Sequence, residues 1–143
     1  MGALIGTYVH NVDEKGRLAI PSKMRVELGE PFFITIMSNQ CLTVFPKDEW
    51  DSFCAELNSI PKSDRKAQQS IRVILASAVK CEPDKQGRVL LPQTLRDFVD
   101  IKKEVVTNGV SSTAEIWAKD KWDKIMADAI SGDLLSSLEA YGI

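Results

Sequence analysis

Apolar and polar positions alternate from Thr7 to Val12 (TYVHNV), with Tyr8, His10 and Val12 on one face and Thr7, Val9 and Asn11 on the other. A period of two predicts a strand. Asp13-Glu14-Lys15-Gly16 follows. Asp accepts hydrogen bonds from the backbone ahead of it and Gly takes positive φ, so this segment predicts a tight turn. The extended pattern resumes from Arg17 to Ile20 and stops at Pro21, which has no N–H for a ladder. Proline also suits a first helical turn. A short helix is expected over Ser22 to Leu28, ended by Gly29. Phe32 to Met37 and Leu42 to Phe45 are the next strands, split by the polar turn Ser38-Asn39-Gln40. After Pro46, the residues Trp50, Phe53, Cys54 and Leu57 recur at helical spacing. Such a stripe is core packing, not a cofactor pocket.

The same series then repeats. Ala78 to Glu82 predicts a strand, Pro83 to Gly87 a turn, Arg88 to Leu91 a strand, and Pro92 to Val99 a short helix. Glu104 to Thr107 and Glu115 to Trp117 are two more strands, and Trp122, Ile125, Met126 and Ala129 copy the first helical stripe. The copy holds at the residue level. DEKGRLAIPSKMR (Asp13 to Arg25) matches DKQGRVLLPQTLR (Asp84 to Arg96) at an offset of 71, and FPKDEW (Phe45 to Trp50) matches WAKDKW (Trp117 to Trp122) at 72. The chain is a tandem repeat of one supersecondary unit.

One such unit has too few strands to bury a core alone. Two can complete each other. The expected fold is α+β, a pseudo-symmetric small β-barrel with flanking helices. Residues 7–50 and 79–122 form the two repeats. Residues 51–78 link them, with Ala67, Ile71, Ile74, Leu75 and Ala78 marking a helix. Residues 123–143 form a helical tail, interrupted at Ser131-Gly132-Asp133 and continued by Leu134, Leu135, Leu138 and Tyr141.

Composition narrows the function classes. Apolar residues at 44% and charged residues at 27% suit a soluble globular protein. No apolar run nears the roughly 20 residues that span a bilayer. MGALIGTYVHN does not resemble a signal peptide, so a cytoplasmic location is expected. Cys41, Cys54 and Cys81 are widely spaced and odd in number, which argues for free thiols and against both disulfides and a zinc site. With His10 the sole histidine, no Ser-His-Asp set is expected, and no catalytic residue, metal or cofactor is assigned. Asp13 and Asp84 do not suit a proton shuttle, because each has an arginine four residues on.

The net charge of −2 does not advertise a nucleic-acid partner. No Lys or Arg follows Lys124, however, which leaves residues 1–124 with 18 basic and 17 acidic groups. Any basic face must come from geometry that gathers particular side chains. The repeated D-x-x-G-R turn is the place to look. Two readings stand. In one, Asp caps the turn, Gly supplies its backbone, and Arg pairs back with the Asp. In the other, Arg17 and Arg88, with Lys15 and Lys85 near the tips, meet a ligand, while Asp13, Gly16, Asp84 and Gly87 support them. A guanidinium fork matches phosphate oxygens or the O6/N7 edge of guanine. Lys23, Arg25 and Arg96 on the short helices read as structural or intersubunit pairs. Lys62, Arg65, Lys66 and Arg72 read as a solvated helix face, and His10 as a satisfied polar residue.

The residues that carry this pattern resemble the MraZ family of bacterial transcriptional regulators, of the AbrB/SpoVT swapped-hairpin type. The resemblance rests on Gly6 to Leu28, CLTVFPKDEW (Cys41 to Trp50), KCEPDKQGRVLLPQTLR (Lys80 to Arg96), KEVV (Lys103 to Val106) and EIWAKDKW (Glu115 to Trp122). It implies two AbrB/SpoVT-like DNA-binding repeats and a closed ring of subunits. It further implies a repressor of the division and cell-wall gene cluster, acting at G-rich direct repeats in its own promoter and associated with the nucleoid. The implied D-x-x-x-R pairs are Asp13/Arg17 and Asp84/Arg88. The chain departs from a strict repeat where Gln86 stands opposite Lys15, so the loops need not contribute equally. It departs from the family where Asn11-Val12 replaces a Thr-Leu pair. A scaffold of the same fold without DNA binding is the alternative, favoured by the sequence pI of 5.4.

Overall fold

The structure, a computed structural model, describes residues 3–143. The first repeat folds as β1 (Thr7–Asn11), β2 (Arg17–Ala19), α1 (Ser22–Leu28), β3 (Phe32–Ile36), β4 (Cys41–Pro46) and α2 (Lys47–Asn58). After α3 (Arg65–Ser77) come β5 (Val79–Cys81), β6 (Arg88–Leu90), α4 (Gln93–Phe98), β7 (Glu104–Gly109), β8 (Ala114–Ala118), α5 (Lys119–Ser131) and α6 (Ser136–Glu139). Local chemistry sets several boundaries. Pro21 and Pro92 each precede a short helix with φ near the value their rings impose, −53° and −56°. The Asp64 carboxylate accepts from the Ala67 N–H at 3.1 Å and caps α3.

The strands pair across the repeats. Six form one sheet in the order β1-β7-β8-β4-β3-β5, and β2 and β6 form a separate ribbon. All ladders are antiparallel. Each repeat keeps its own hairpin, β3–β4 or β7–β8, but gives its first strand to the other: β1 lies on β7, and β5 lies on β3. The two remaining contacts join equivalents. In the ribbon, Leu18 pairs with its own repeat partner Val89. In the middle of the sheet, Thr43 pairs with its partner Glu115. A twofold relation between the halves passes between both pairs.

Burial follows from this exchange. Leu18 and Val89, at 0% and 5% exposure, point from the ribbon into a core shared with Met24 and Leu95 of the short helices and Phe32, Ile34, Val105 and Ile116 of the sheet. On the opposite face of the sheet, α2 lays Trp50 flat on Phe33 with ring centroids 4.9 Å apart, and Phe53 stacks on Phe45 at 5.1 Å. The equivalent Trp122 of α5 packs edge-on to Trp117 at 5.8 Å. The stripe of α2 is therefore a packing surface, whereas of the α5 stripe only Trp122 and Met126 are half-buried and Ile125 and Ala129 are exposed.

Two expectations are revised. The strands do not close into a barrel, because the six-stranded sheet ends at β1 and β5. At Asp13 and Asp84 the chain turns sharply, and a single backbone bond links each edge to the ribbon there: Asp13 N–H to the Arg17 carbonyl, and Asp84 N–H to the Arg88 carbonyl. A ladder requires such bonds in series. The amphipathic tail helix also shrinks to the four residues of α6, with Leu134, Leu135 and Tyr141 exposed. The other boundaries agree to within a residue or two, as helix and strand ends usually do.

Because Leu18 sits where the halves meet and is fully buried, Leu18→Ala should lower stability by about 2–5 kcal/mol. Denaturant unfolding checks this. A loss below about 0.5 kcal/mol would contradict the placement of the core.

Candidate nucleic-acid interface

Each repeated turn is built around its aspartate. Asp13 Oδ1 accepts from the N–H groups of Lys15 and Arg17, at 2.9 and 2.8 Å. The Gly16 N–H returns to the Asp13 carbonyl at 3.0 Å. The second turn is the same object: Asp84 Oδ1 accepts from Gln86 and Arg88 at 2.9 Å each, and Gly87 donates to the Asp84 carbonyl at 2.9 Å. Gly16 and Gly87 carry φ of +84° and +76°, a region costly for any residue with a Cβ.

These donors hold both carboxyls below their ordinary value. The leading cause is the backbone N–H of Arg17 for Asp13 and of Arg88 for Asp84; the neighbouring guanidiniums add to it. The aspartates are therefore organisers of the turn first and ion-pair partners second. Only Arg88 pairs closely, its Nε standing 3.1 Å from Asp84 Oδ2. Its Nη1 also reaches Asp13 Oδ2 of the other turn at 3.8 Å. Arg17 makes no ion pair among the described residues. The expected pairing of each arginine with its own aspartate thus holds for one turn and not for the other.

The ribbon brings both arginines to one face, on a diagonal. Arg17 lies opposite Leu90 and Arg88 opposite Ala19. Alternation along a strand puts these four residues on one face, with Leu18 and Val89 on the other. The outer face is a small diagonal of two arginines with Ala19 and a 54%-exposed Leu90 between them. Leu90 and Ala19 were not singled out from sequence. The i+2 spacing from Arg88 and Arg17 is the signal that marks them.

Lys15 and Lys85 are exposed in the turns but are not equivalents. Lys15 and Gln86 donate the same hydrogen bond, so Lys85 corresponds to Glu14. Each turn carries its lysine at a different position. His10 lies on β1 with Nε2 2.8 Å from Thr107 Oγ1. Burial lowers its pKa, opposed by the backbone of Ala19. It is a satisfied polar residue. Lys62, Arg65, Lys66 and Arg72 are exposed along α3 and the segment before it.

Arg25 and Arg96 do more than pair on their own helices. Arg25 Nε donates to the Ile20 carbonyl at 3.0 Å, and Arg96 Nε to that of Leu91 at 2.9 Å. Their guanidiniums reach across to the opposite repeat. A Cβ placed on Gly87 would stand 2.7 Å from Cζ of Arg25, and one on Gly16 would stand 2.7 Å from Nη2 of Arg96. The contacts are within one chain and run between the repeats, which is the structural one of the two roles expected of these arginines.

Cys41, Cys54 and Cys81 are free, and burial pushes the Cys41 and Cys81 thiols up to about 12. The described residues hold no group of three or more His, Cys, Asp or Glu side chains arranged for a metal. No described helix is long and apolar enough to cross a membrane.

The chain is thus an exchanged-strand α+β scaffold with a two-stranded ribbon that carries Arg17 and Arg88. The family profile described as "MraZ protein, putative antitoxin-like" matches residues 3–72 and again 74–139. Among similar proteins, the "Transcriptional regulator MraZ" of Thermoanaerobacter sp. (strain X514) is 45% identical over 121 residues, 85% of each chain. Those of Finegoldia magna and Lachnoclostridium phytofermentans, under the same name, are 45% identical over 125 residues (87% of each chain) and 38% over 139 residues (97% of each). The chain belongs to the MraZ family of transcriptional regulators.

The turns separate the two jobs an aspartate can do. Asparagine keeps the accepting oxygen but not the charge, so Asp13→Asn and Asp84→Asn should retain more of the amide protection in residues 13–17 and 84–88 than the alanine variants do, and less than wild type. Equal loss in both would make the ion pair the organiser. Because the folded carboxyl values are lowered, their contribution to stability is complete above the ordinary value of 3.8 and is lost as pH falls through the folded value. Protection factors in both turns should therefore hold from pH 7 to about 5 and fall together below about 4.

Proposed function

We propose that this protein is a sequence-specific DNA-binding regulator that reads double-stranded DNA with the β2–β6 ribbon. The observation that carries the reading is the shared outer face of Arg17 and Arg88. The major groove, about 12 Å wide, admits a two-stranded ribbon, and an arginine fork is the commonest reader of guanine there. Lys15 and Lys85 then lie near the flanking phosphates, where they add affinity without sequence choice. The acidic balance of the chain is compatible with this, because the positive groups are focused on one face.

Segments 7–50 and 79–122 each supply one reading turn in this proposal, residues 51–78 join them, and residues 123–143 form the tail. Four basic groups per chain give little affinity at physiological salt, where non-specific binding is typically about 10⁻⁴ to 10⁻⁶ M. Joining chains raises the effective concentration of each further contact. The protein therefore acts as a homo-oligomeric ring, and its site is a set of G-rich direct repeats in its own promoter, because ring subunits are related head to tail. Repression of the division and cell-wall gene cluster in the nucleoid, with the swapped-hairpin AbrB/SpoVT architecture, completes the reading. The family to which its relatives' names belong supports it. One observation favours the alternative scaffold role: Arg88 already contacts two carboxylates, and in a scaffold that is its final function.

A gel shift on promoter fragments decides between them. Arg17→Ala or Arg88→Ala should cost about 1–3 kcal/mol per lost guanine contact, with the fold intact by circular dichroism. Wild-type affinity in both variants would favour the scaffold. Inserting about 5 base pairs between repeats turns one repeat to the far side of the duplex and should sharply weaken binding. Affinity indifferent to repeat number and to that insertion would reject the ring-and-repeat mechanism.

A further inference from the structure

We propose that Arg25 and Arg96 are positioning residues that act crosswise, each holding the DNA-reading turn of the opposite repeat. The inference deepens the proposed function and rests on it for its effect on DNA.

The geometry is a closed unit made twice. Ile20 donates its N–H to the Gly87 carbonyl at 2.9 Å and accepts Arg25 Nε at its own carbonyl at 3.0 Å. Arg25 then lies over Gly87, in the space a Cβ would need. In the other half, Leu91 donates to the Gly16 carbonyl at 2.8 Å, accepts Arg96 Nε at 2.9 Å, and Arg96 covers Gly16. Both arginines are half-buried. Each guanidinium spends its Nε–H on a carbonyl and lies against a glycine, whereas Arg17, equally half-buried, makes no side-chain hydrogen bond or ion pair among the described residues. Proline at 21 and 92 starts each helix in the turn that carries this arginine to the other side of the ribbon.

The consequence is a coupling between repeats. Arg25 of the first repeat sits beside the glycine that precedes Arg88, and Arg96 of the second beside the glycine that precedes Arg17. Preorganising a reading side chain reduces what binding must spend on ordering it. Glycine is required at 16 and 87 by the positive φ, and a Cβ there would in addition displace the covering arginine.

Hydrogen exchange on the full oligomer, paired with binding, tests this. Arg25→Gln should speed deuterium uptake in residues 84–88 and leave 13–17 unchanged; Arg96→Gln should do the reverse. In DNA titrations, Arg25→Gln combined with Arg88→Ala should bind no more than about twofold weaker than Arg88→Ala alone, the margin of additivity between sites. Combined with Arg17→Ala it should lose the product of the two single effects. The salt dependence of binding should stay parallel to wild type, because a lost phosphate contact would instead reduce the slope by about one. Uptake that rises in the variant's own turn, or in neither, overturns the brace. So does a reduced salt slope with both turns unchanged, which makes Arg25 a direct phosphate contact. If Arg25→Gln fails to fold, Arg25→Lys serves: it keeps the charge but lacks the Nε–H and the planar fork, and the same crossed uptake is expected. If Arg17→Ala and Arg88→Ala bind DNA as wild type, the DNA reading falls, and the crossed uptake alone still upholds or overturns the brace.

Discussion

Everything in this fold depends on strands whose partners lie in the other repeat. A buried backbone N–H or C=O must be paired, and in this chain β1, β2, β5 and β6 find their partners only across the repeat boundary. Neither half can complete its ladder alone. The exchange also fixes the two turns relative to each other, because both start strands of one two-stranded ribbon three residues long. The geometry of the proposed DNA-reading turns is thereby a by-product of the pairing that makes the protein fold.

The pairing of equivalents sharpens the point. With Leu18 against Val89 and Thr43 against Glu115, the halves are locked at two levels, ribbon and sheet. The short helices follow the same logic, since Met24 and Leu95 fill the shared core while Arg25 and Arg96, one residue later, reach over the opposite turns. Stability and turn order therefore share elements. Yet the symmetry is imperfect where contact with a partner is proposed. Arg88 is held by two carboxylates while Arg17 is not, and the lysines occupy different places in the two turns. Equivalent backbones carry unequal side chains, so the two turns would not contribute equally to the proposed contact with DNA.

Much of this was readable from the chain. Asp13, Gly16, Asp84 and Gly87 announced the turns because their side chains act within a few residues, and Pro21 and Pro92 announced the helices for the same reason. The stripe at Trp50 announced a half-buried helix face, while of the one at Trp122 only Trp122 and Met126 are half-buried. Strand partners were not readable, because alternation says which face is buried but not which strand lies alongside. Hence a closed barrel was expected where the sheet is open. The crossed roles of Arg25 and Arg96 were hidden for a similar reason: the glycines they cover lie in the other repeat. Leu90 was passed over because its exposure depends on the ribbon standing apart from the sheet.

In the proposed complex the ribbon's outer face enters the major groove and meets guanine. Methylation interference on the promoter repeats tests it most directly. A methyl group on guanine N7 blocks the atom an arginine fork would use in the major groove, whereas one on adenine N3 lies in the minor groove. The account predicts that methylated guanines within the repeats are depleted from the bound DNA, and that N3-methylated adenines are retained. Binding that tolerates N7 methylation throughout the repeats, or that is lost on adenine N3 methylation alone, would contradict it.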